Sequence, residues 1–409
     1  MGKIYAISFL GTSPYSKTIY VIQNKSYHEV YIQNAIKSHY KPEKHFIFAT
    51  SLAKEKHEQG LLGRGFSQDE FVQISDGKTE AELWEIFSSI VETVPSDCRL
   101  VIDVTHGFRI QPMVALAVVV FLRFHKNISV EAILYGLYDH KNEENEVLDI
   151  TSFLDIIDWT FGIRRLMEKG DASDLAGILS NFHRRSYLRN EAYKATGLSN
   201  FGNYLNGIMS AMAVVRPYDV ISEASRSASM TEELKRDIEN MPHTQPLGLF
   251  ADQILQKLSE YAAPLADVSD LYSTKGIKSQ LEIIDHYISV AQYQQALTLI
   301  NELLIGFGLV LHVEDSMDLE KRKEMSYRLN AIRKGSFIAK AETWEYELVE
   351  ILKLSVDYRN DVNHAGMRPD PKSAKSIVKQ TKELAESVRI FVDKHLPAVF
   401  INDGNNAEA

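Results

Sequence analysis

The chain has 409 residues, 45% of them hydrophobic and 24% charged, a composition that suits a folded globular protein of two or three domains. Its net charge of −10 excludes a surface that draws nucleic acid everywhere, so any RNA contact must be local. The single cysteine, Cys98, excludes an internal disulfide framework and cysteine-rich metal sites, and fits a reducing cytoplasm.

In chain order, the first 150 residues alternate strand and helix. Residues 4–10 read as a buried first strand, not a signal peptide. A small strand or hairpin fits 18–22, then a helix over 31–40 and strands at 46–50 and 71–75 around a helix over 52–62. A helix over 80–94, a strand at 100–104, a helix over 111–125 and a strand at 130–138 complete the run. Strands separated by helices imply parallel pairing through right-handed crossovers, which makes residues 1–150 a Rossmann-like α/β domain. The apolar run 113–121 is too short to cross a bilayer and reads as a buried helix, so no membrane partner is expected.

From Thr151 the periodicity turns helical. Phe153, Leu154, Ile157, Phe161 and Leu166 fall on one apolar face. Residues 151–275 read as a helical linker or insertion, broken at Arg216-Pro217 and over a loop at 241–248. Residues 276–400 read as a second helical domain. Within it, one or two apolar helices cover 276–311, a helix covers 343–359, and a last one carries Ile377, Thr381, Leu384, Val388 and Phe391 on one face.

Two stretches carry chemistry. The first is Asp103-Val104-Thr105-His106-Gly107-Phe108-Arg109, placed after a strand and before a helix that opens on Gln111-Pro112. Backbone N–H groups and the helix dipole suit phosphate there, and Arg109 adds a fork of donors. Gly11-Thr12-Ser13 ends the first strand in the same way, so both loops face the crevice at the strands' carboxyl ends, where a nucleotide or phosphate binds in open α/β sheets. Turn chemistry alone accounts for the same residues. There is no dinucleotide glycine fingerprint and no phosphate-loop motif.

The second stretch is Arg359-Asn360-Asp361-Val362-Asn363-His364, at the end of an amphipathic helix. His moves protons near neutrality and Arg stabilises charge on a phosphoryl group. With no metal ligand set nearby, that pair suits RNA cleavage by the substrate's own 2′-hydroxyl. Arg359 and His364 point about 140° apart on an unbroken helix, so they converge only if the helix is distorted or two chains share the site. A histidine that merely answers the helix dipole is the alternative.

Together these stretches resemble the ribonucleases of type III CRISPR systems that join a CRISPR-associated Rossmann fold (CARF) to a HEPN domain. The CARF likeness lies in Leu10-Gly11-Thr12-Ser13 and in Asp103 to Arg109. The HEPN likeness lies in an Arg and a His separated by four residues, Arg359 and His364. The resemblance implies an all-α C-terminal region containing a HEPN domain, and a homodimer or larger assembly. It also implies a cyclic oligoadenylate activator bound by Gly11, Thr12, Ser13, Thr105, His106, Gly107, Phe108 and Arg109, with no cofactor and no metal. The implied activity is metal-independent endonucleolytic cleavage of single-stranded RNA in antiviral defence, by Arg359, His364 and Asn360. Two alternatives stay open: a cyclic-oligoadenylate sensor whose helical half only binds RNA or protein, and an α/β half that degrades its own ligand. Asp357, Asp361 and Asp370 leave the HEPN cleft less basic than RNA wants.

Overall fold

The computed structural model describes residues 2–107, 110–137, 139, 142–188, 193–241, 244–336 and 342–400. The chain divides into two compact units, residues 1–155 and 156–409.

The first unit runs β1 (Ile4–Phe9), β2 (Thr18–Ile22), β3 (Lys25–Glu29), α1 (Ile32–Tyr40), β4 (Lys44–Ala49), α2 (Ser51–Leu62), β5 (Phe71–Gln73), α3 (Glu80–Thr93), β6 (Arg99–Asp103), α4 (Ile110–His125), β7 (Ser129–Gly136) and β8 (Glu144–Asp149), and ends in the first turn of α5 (Ser152–Lys169). The strands form one eight-stranded sheet in the order β3-β2-β8-β7-β6-β1-β4-β5. The five strands β7-β6-β1-β4-β5 are all parallel, as alternation with helices predicts. β1 lies between two neighbours, and its inner residues Ala6, Ile7 and Phe9 are fully buried, which is why the run reads as continuously apolar. The sheet is mixed rather than purely parallel. β8 adds antiparallel to β7, and the β2–β3 hairpin extends that edge. Alternation in β8, with Asn145 and Val147 buried between exposed neighbours, marks a half-covered edge region.

The second unit contains the rest of α5 and α6 (Ser173–Leu188), α7 (Thr196–Ala213), α8 (Pro217–Ala224), α9 (Ser227–Asn240), α10 (Gln245–Ser259), α11 (Thr274–Ser289), α12 (Tyr293–Leu311), α13 (Leu319–Arg333), α14 (Thr343–Asn363) and α15 (Ala374–Phe400). One buried apolar cluster runs from Trp159 on α5 to Leu396 on α15. α12 packs against α11, α13, α14 and α15. It is apolar around its circumference because neighbours cover it; among the described residues it alone is long and apolar enough to cross a membrane, yet 61% of its apolar window is buried.

Three local expectations change. The run 113–121 is not a buried helix but the half-covered part of α4: Ala115, Val118 and Val119 are buried, while Met113, Leu116 and Phe121 are exposed. The buried stripe of α5 is Leu154, Trp159, Ile163 and Leu166, while Phe153 and Phe161 are exposed, because 3.6-residue periodicity carries the inner face through Trp159. Gln245–Gly248 are not loop but the first turn of α10, with Pro246 in the position where its missing N–H costs nothing; Pro242 and His243 lie outside the described residues.

Candidate functional site

In the α/β unit, the chain makes the β2–β3 hairpin at the far edge after β1, then adds β4 and β5 on one side of β1 before β6 joins it on the other. The carboxyl ends of β1 and β6 are therefore the switch point where open α/β sheets form their crevice. Register pairs Ser8 with Asp103, so the two strands end level. The loops that follow, Gly11–Ser13 and Thr105–Gly107, emerge side by side: a Cβ on Gly11 would sit 3.5 Å from Gly107 N.

Each loop is held by specific bonds. Gly11 N–H donates to Tyr15 Oη at 2.8 Å, folding the first loop back. Lys56 Nζ donates to the Thr12 carbonyl at 2.8 Å. Thr105 N–H donates to Asp103 Oδ1 at 2.9 Å, and Thr105 Oγ1 accepts from Gly136 N–H at 2.8 Å, which ties the second loop to β7. Gly107 has φ of 109°, and a Cβ there would lie 2.3 Å from Gln111 Oε1 and 3.0 Å from Phe9 Cβ. Only glycine fits. Ser13 is exposed. Phe108 and Arg109 lie outside the described residues.

The aromatic ring of Tyr15 touches the imidazoles of both His106 and His57, with ring centres 4.5 Å apart in each case. Burial pushes His106 down, against the opposing pull of Asp103, so it is neutral near pH 7. His106 Nε2 is buried and makes no hydrogen bond among the described residues. Asp103 is fully buried, and burial pushes its carboxyl up despite His106 and the bonds from Thr105. Among the described residues the crevice thus offers neutral imidazole, backbone N–H and one lysine. Tyr15, Lys56 and His57 were not singled out from sequence. Their signal was positional: Tyr15 lies just past β1, while Lys56 and His57 lie on the helix that starts just past β4, at the same carboxyl edge.

In the helical unit, α14 is regular through Asn363, with His364 as its C-cap. His364 N–H donates to the Asn360 carbonyl at 3.0 Å, and Ala365 and Gly366 then turn left-handed, at φ 53° and 69°, to end the helix. Asn360 and Arg359 are half-buried, and the imidazole of His364 is exposed. Arg359 Nε is buried and has no hydrogen-bond partner among the described residues. No hydrogen bond joins Arg359 to His364 among the described residues, in keeping with side chains about 140° apart on an undistorted helix.

Two of the three acidic neighbours face cations. Asp357 pairs with Arg368 at 3.2 Å and with Lys372 at 3.5 Å. Asp361 is buried, accepts from Lys372 N–H at 3.1 Å and has Arg368 Nε at 3.7 Å. Asp370 is exposed. Arg368 and Lys372 were missed from sequence because they sit in the loop after the motif, beyond any helical periodicity. Asn363 Oδ1 accepts from Gln294 Nε2 at 3.2 Å, fixing the end of α14 to α12.

The other end of α14 is anchored by a buried charge. Glu345 is fully buried, pairs with Arg328 of α13 (Nη2 at 2.9 Å) and with His312 Nε2 at 3.2 Å, and accepts from Glu342 N–H at 2.8 Å in a capping box. Burial pushes its carboxyl up, but those bonds outweigh it and hold it below the usual carboxylate value. His312 is thus structural. His286 is structural too, bonded to Tyr261 Oη at 3.0 Å and pushed down by burial to about 4.

No family model matches the chain. Over 151 residues, 35% of this chain, it is 25% identical to the CRISPR-associated protein MJ1674 of Methanocaldococcus jannaschii. The match spans 23% of that protein.

Proposed function

We propose that this chain is an accessory ribonuclease of CRISPR defence, switched on by a cyclic oligoadenylate bound in the α/β unit and cleaving single-stranded RNA in the helical unit without a metal ion. The observation that carries the reading is the meeting of the Gly11–Ser13 and Thr105–Gly107 loops at the sheet's switch point, in a chain whose other unit ends a helix on Arg359 and His364. The CRISPR-associated relative supports the same setting.

In the crevice, backbone N–H groups and Lys56 suit phosphates, and the aromatic and imidazole cluster around Tyr15 offers faces for adenine. In the helical unit, His364 takes the 2′-hydroxyl proton, Arg359 stabilises the phosphorane-like transition state, and Asn360 positions the scissile phosphate. A regular α14 does not aim Arg359 and His364 at one phosphate, so two copies of the chain face each other and each set completes the other. The reaction leaves a 2′,3′-cyclic phosphate and a 5′-hydroxyl. End-group analysis of a labelled RNA after incubation in excess EDTA tests this. Cyclic-phosphate ends that disappear in His364→Ala protein are the expected result; strict dependence on a divalent ion, or 3′-hydroxyl ends, refutes the mechanism.

A further inference from the structure

Between α13 and α14 lies a cavity of about 270 Å³ with a mixed lining. Its apolar floor includes Leu329 and Leu352, and its rim carries Tyr327, Asn330, Arg333 and Lys353. Tyr327 is 74% exposed, a large aromatic ring offered to solvent. Arg333 and Lys353 are exposed, and neither has an ion pair among the described residues, whereas Arg328, five residues before Arg333, is committed to Glu345. An aromatic face, an amide and two uncommitted cations around an apolar floor is the combination that single-stranded nucleic acid uses, through base stacking and backbone attraction. The volume lies just below the roughly 300–1,000 Å³ of small-molecule clefts, which suits one nucleotide and not a docked helix.

The groove is also in line with the candidate active site. Counting about 100° per residue along α14, Asn360 and His364 fall about 20° to either side of Lys353 and about 40° from each other, with rises of about 10 Å and 16 Å from it. A strand that follows this face therefore passes the groove a few nucleotides from His364.

We infer that this groove is a subsite for one base of the RNA strand flanking the scissile phosphate, with Tyr327 stacking on the base, Asn330 meeting its edge, and Arg333 and Lys353 holding the adjacent phosphates. The inference rests on the ribonuclease reading and adds to it a place where substrate preference is set.

The test is fluorescence anisotropy of a short labelled single-stranded RNA on full-length His364→Ala protein, alone and combined with groove substitutions. Tyr327→Ala weakens binding by about 10-fold, and Tyr327→Phe, which keeps the stacking face, restores it to within about twofold. Arg333→Ala with Lys353→Ala lowers the slope of log affinity against log salt by about 1.4, or about 0.7 for each lost phosphate contact. These side chains lie at the rim, so circular dichroism of each variant stays that of the parent. If the parent binds RNA and the groove variants match it in affinity and salt slope, the subsite is refuted while the ribonuclease reading stands. A changed oligomeric mass with unchanged RNA affinity assigns the groove to an interface between copies, and refutes it equally. If the parent binds no RNA and the unsubstituted chain cleaves none, both readings fall.

Discussion

Glu345 gives the sharpest stability prediction, because it is a fully buried carboxylate on the helix that carries Arg359 and His364. Glu345→Gln keeps the shape and still accepts from Glu342 N–H, but it removes the charge facing Arg328 and His312. Removing one partner of a buried pair costs about 3–5 kcal/mol. The Arg328 side chain is 31% exposed and regains water, so the lower end, about 3 kcal/mol, applies. Urea unfolding followed by tryptophan fluorescence measures this, since Trp159 and Trp344 both report on the helical unit and Trp344 meets His312 edge to face. The pH dependence has a definite sign. A carboxylate held below its unfolded value of 4.5 contributes stability that is fully present above that pH and is lost as the pH falls through the folded value. The gap between wild type and Glu345→Gln is therefore widest at pH 6–7 and narrows below about pH 4.5. A midpoint unchanged at neutral pH, or a gap that widens in acid, refutes the reasoning.

Further outcomes follow from the two sites. Gly107→Ala places a Cβ at φ 109° against Gln111 and Phe9, at a cost of about 1–3 kcal/mol in the loop. Calorimetric titration should show cyclic oligoadenylate bound at least about 10-fold more weakly, with RNA cleavage chemistry intact in any ligand-independent background. His364→Ala should do the reverse, keeping ligand affinity and losing about 10²–10⁴-fold in cleavage rate. Mixing inactive His364→Ala chains with wild type should depress activity below simple dilution if facing chains complete each site; a fall strictly in proportion to the wild-type fraction would argue for independent sites.

Much of the α/β unit was legible because inner parallel strands, with crossover helices over the sheet, are buried on both faces, and such runs are short and apolar: Ile4–Phe9 and Arg99–Asp103 stand out. β8 was not, since its sequence Glu-Asn-Glu-Val-Leu-Asp is half acidic and only Asn145 and Val147 turn inward. How the middle helices pack was not legible: at Gly202 of α7 a Cβ would lie 3.2 Å from Ala176 Cα on α6, a close approach of two helices that no helical period marks. At the candidate sites, sequence spacing named the two motifs. It gave no sign of the groups that set their electrostatics, because Arg368 and Lys372 reach Asp357 and Asp361 across a loop, and Tyr15 meets His57 and His106 only once three strand ends converge.

The most direct measurement is the rate at which the purified chain cleaves a labelled single-stranded RNA in EDTA, with and without each member of a series of cyclic oligoadenylates. Driving an inactive population from 1:99 to 99:1 requires about 5.5 kcal/mol of differential ligand affinity, so activation by one ring size should be of order 10²-fold or less in rate, saturable, and shifted by Gly107→Ala to at least about 10-fold higher ligand concentration. RNA that stays intact with every ring size, or cleavage at the same rate whether or not ligand is present, contradicts a cyclic-oligoadenylate-activated ribonuclease.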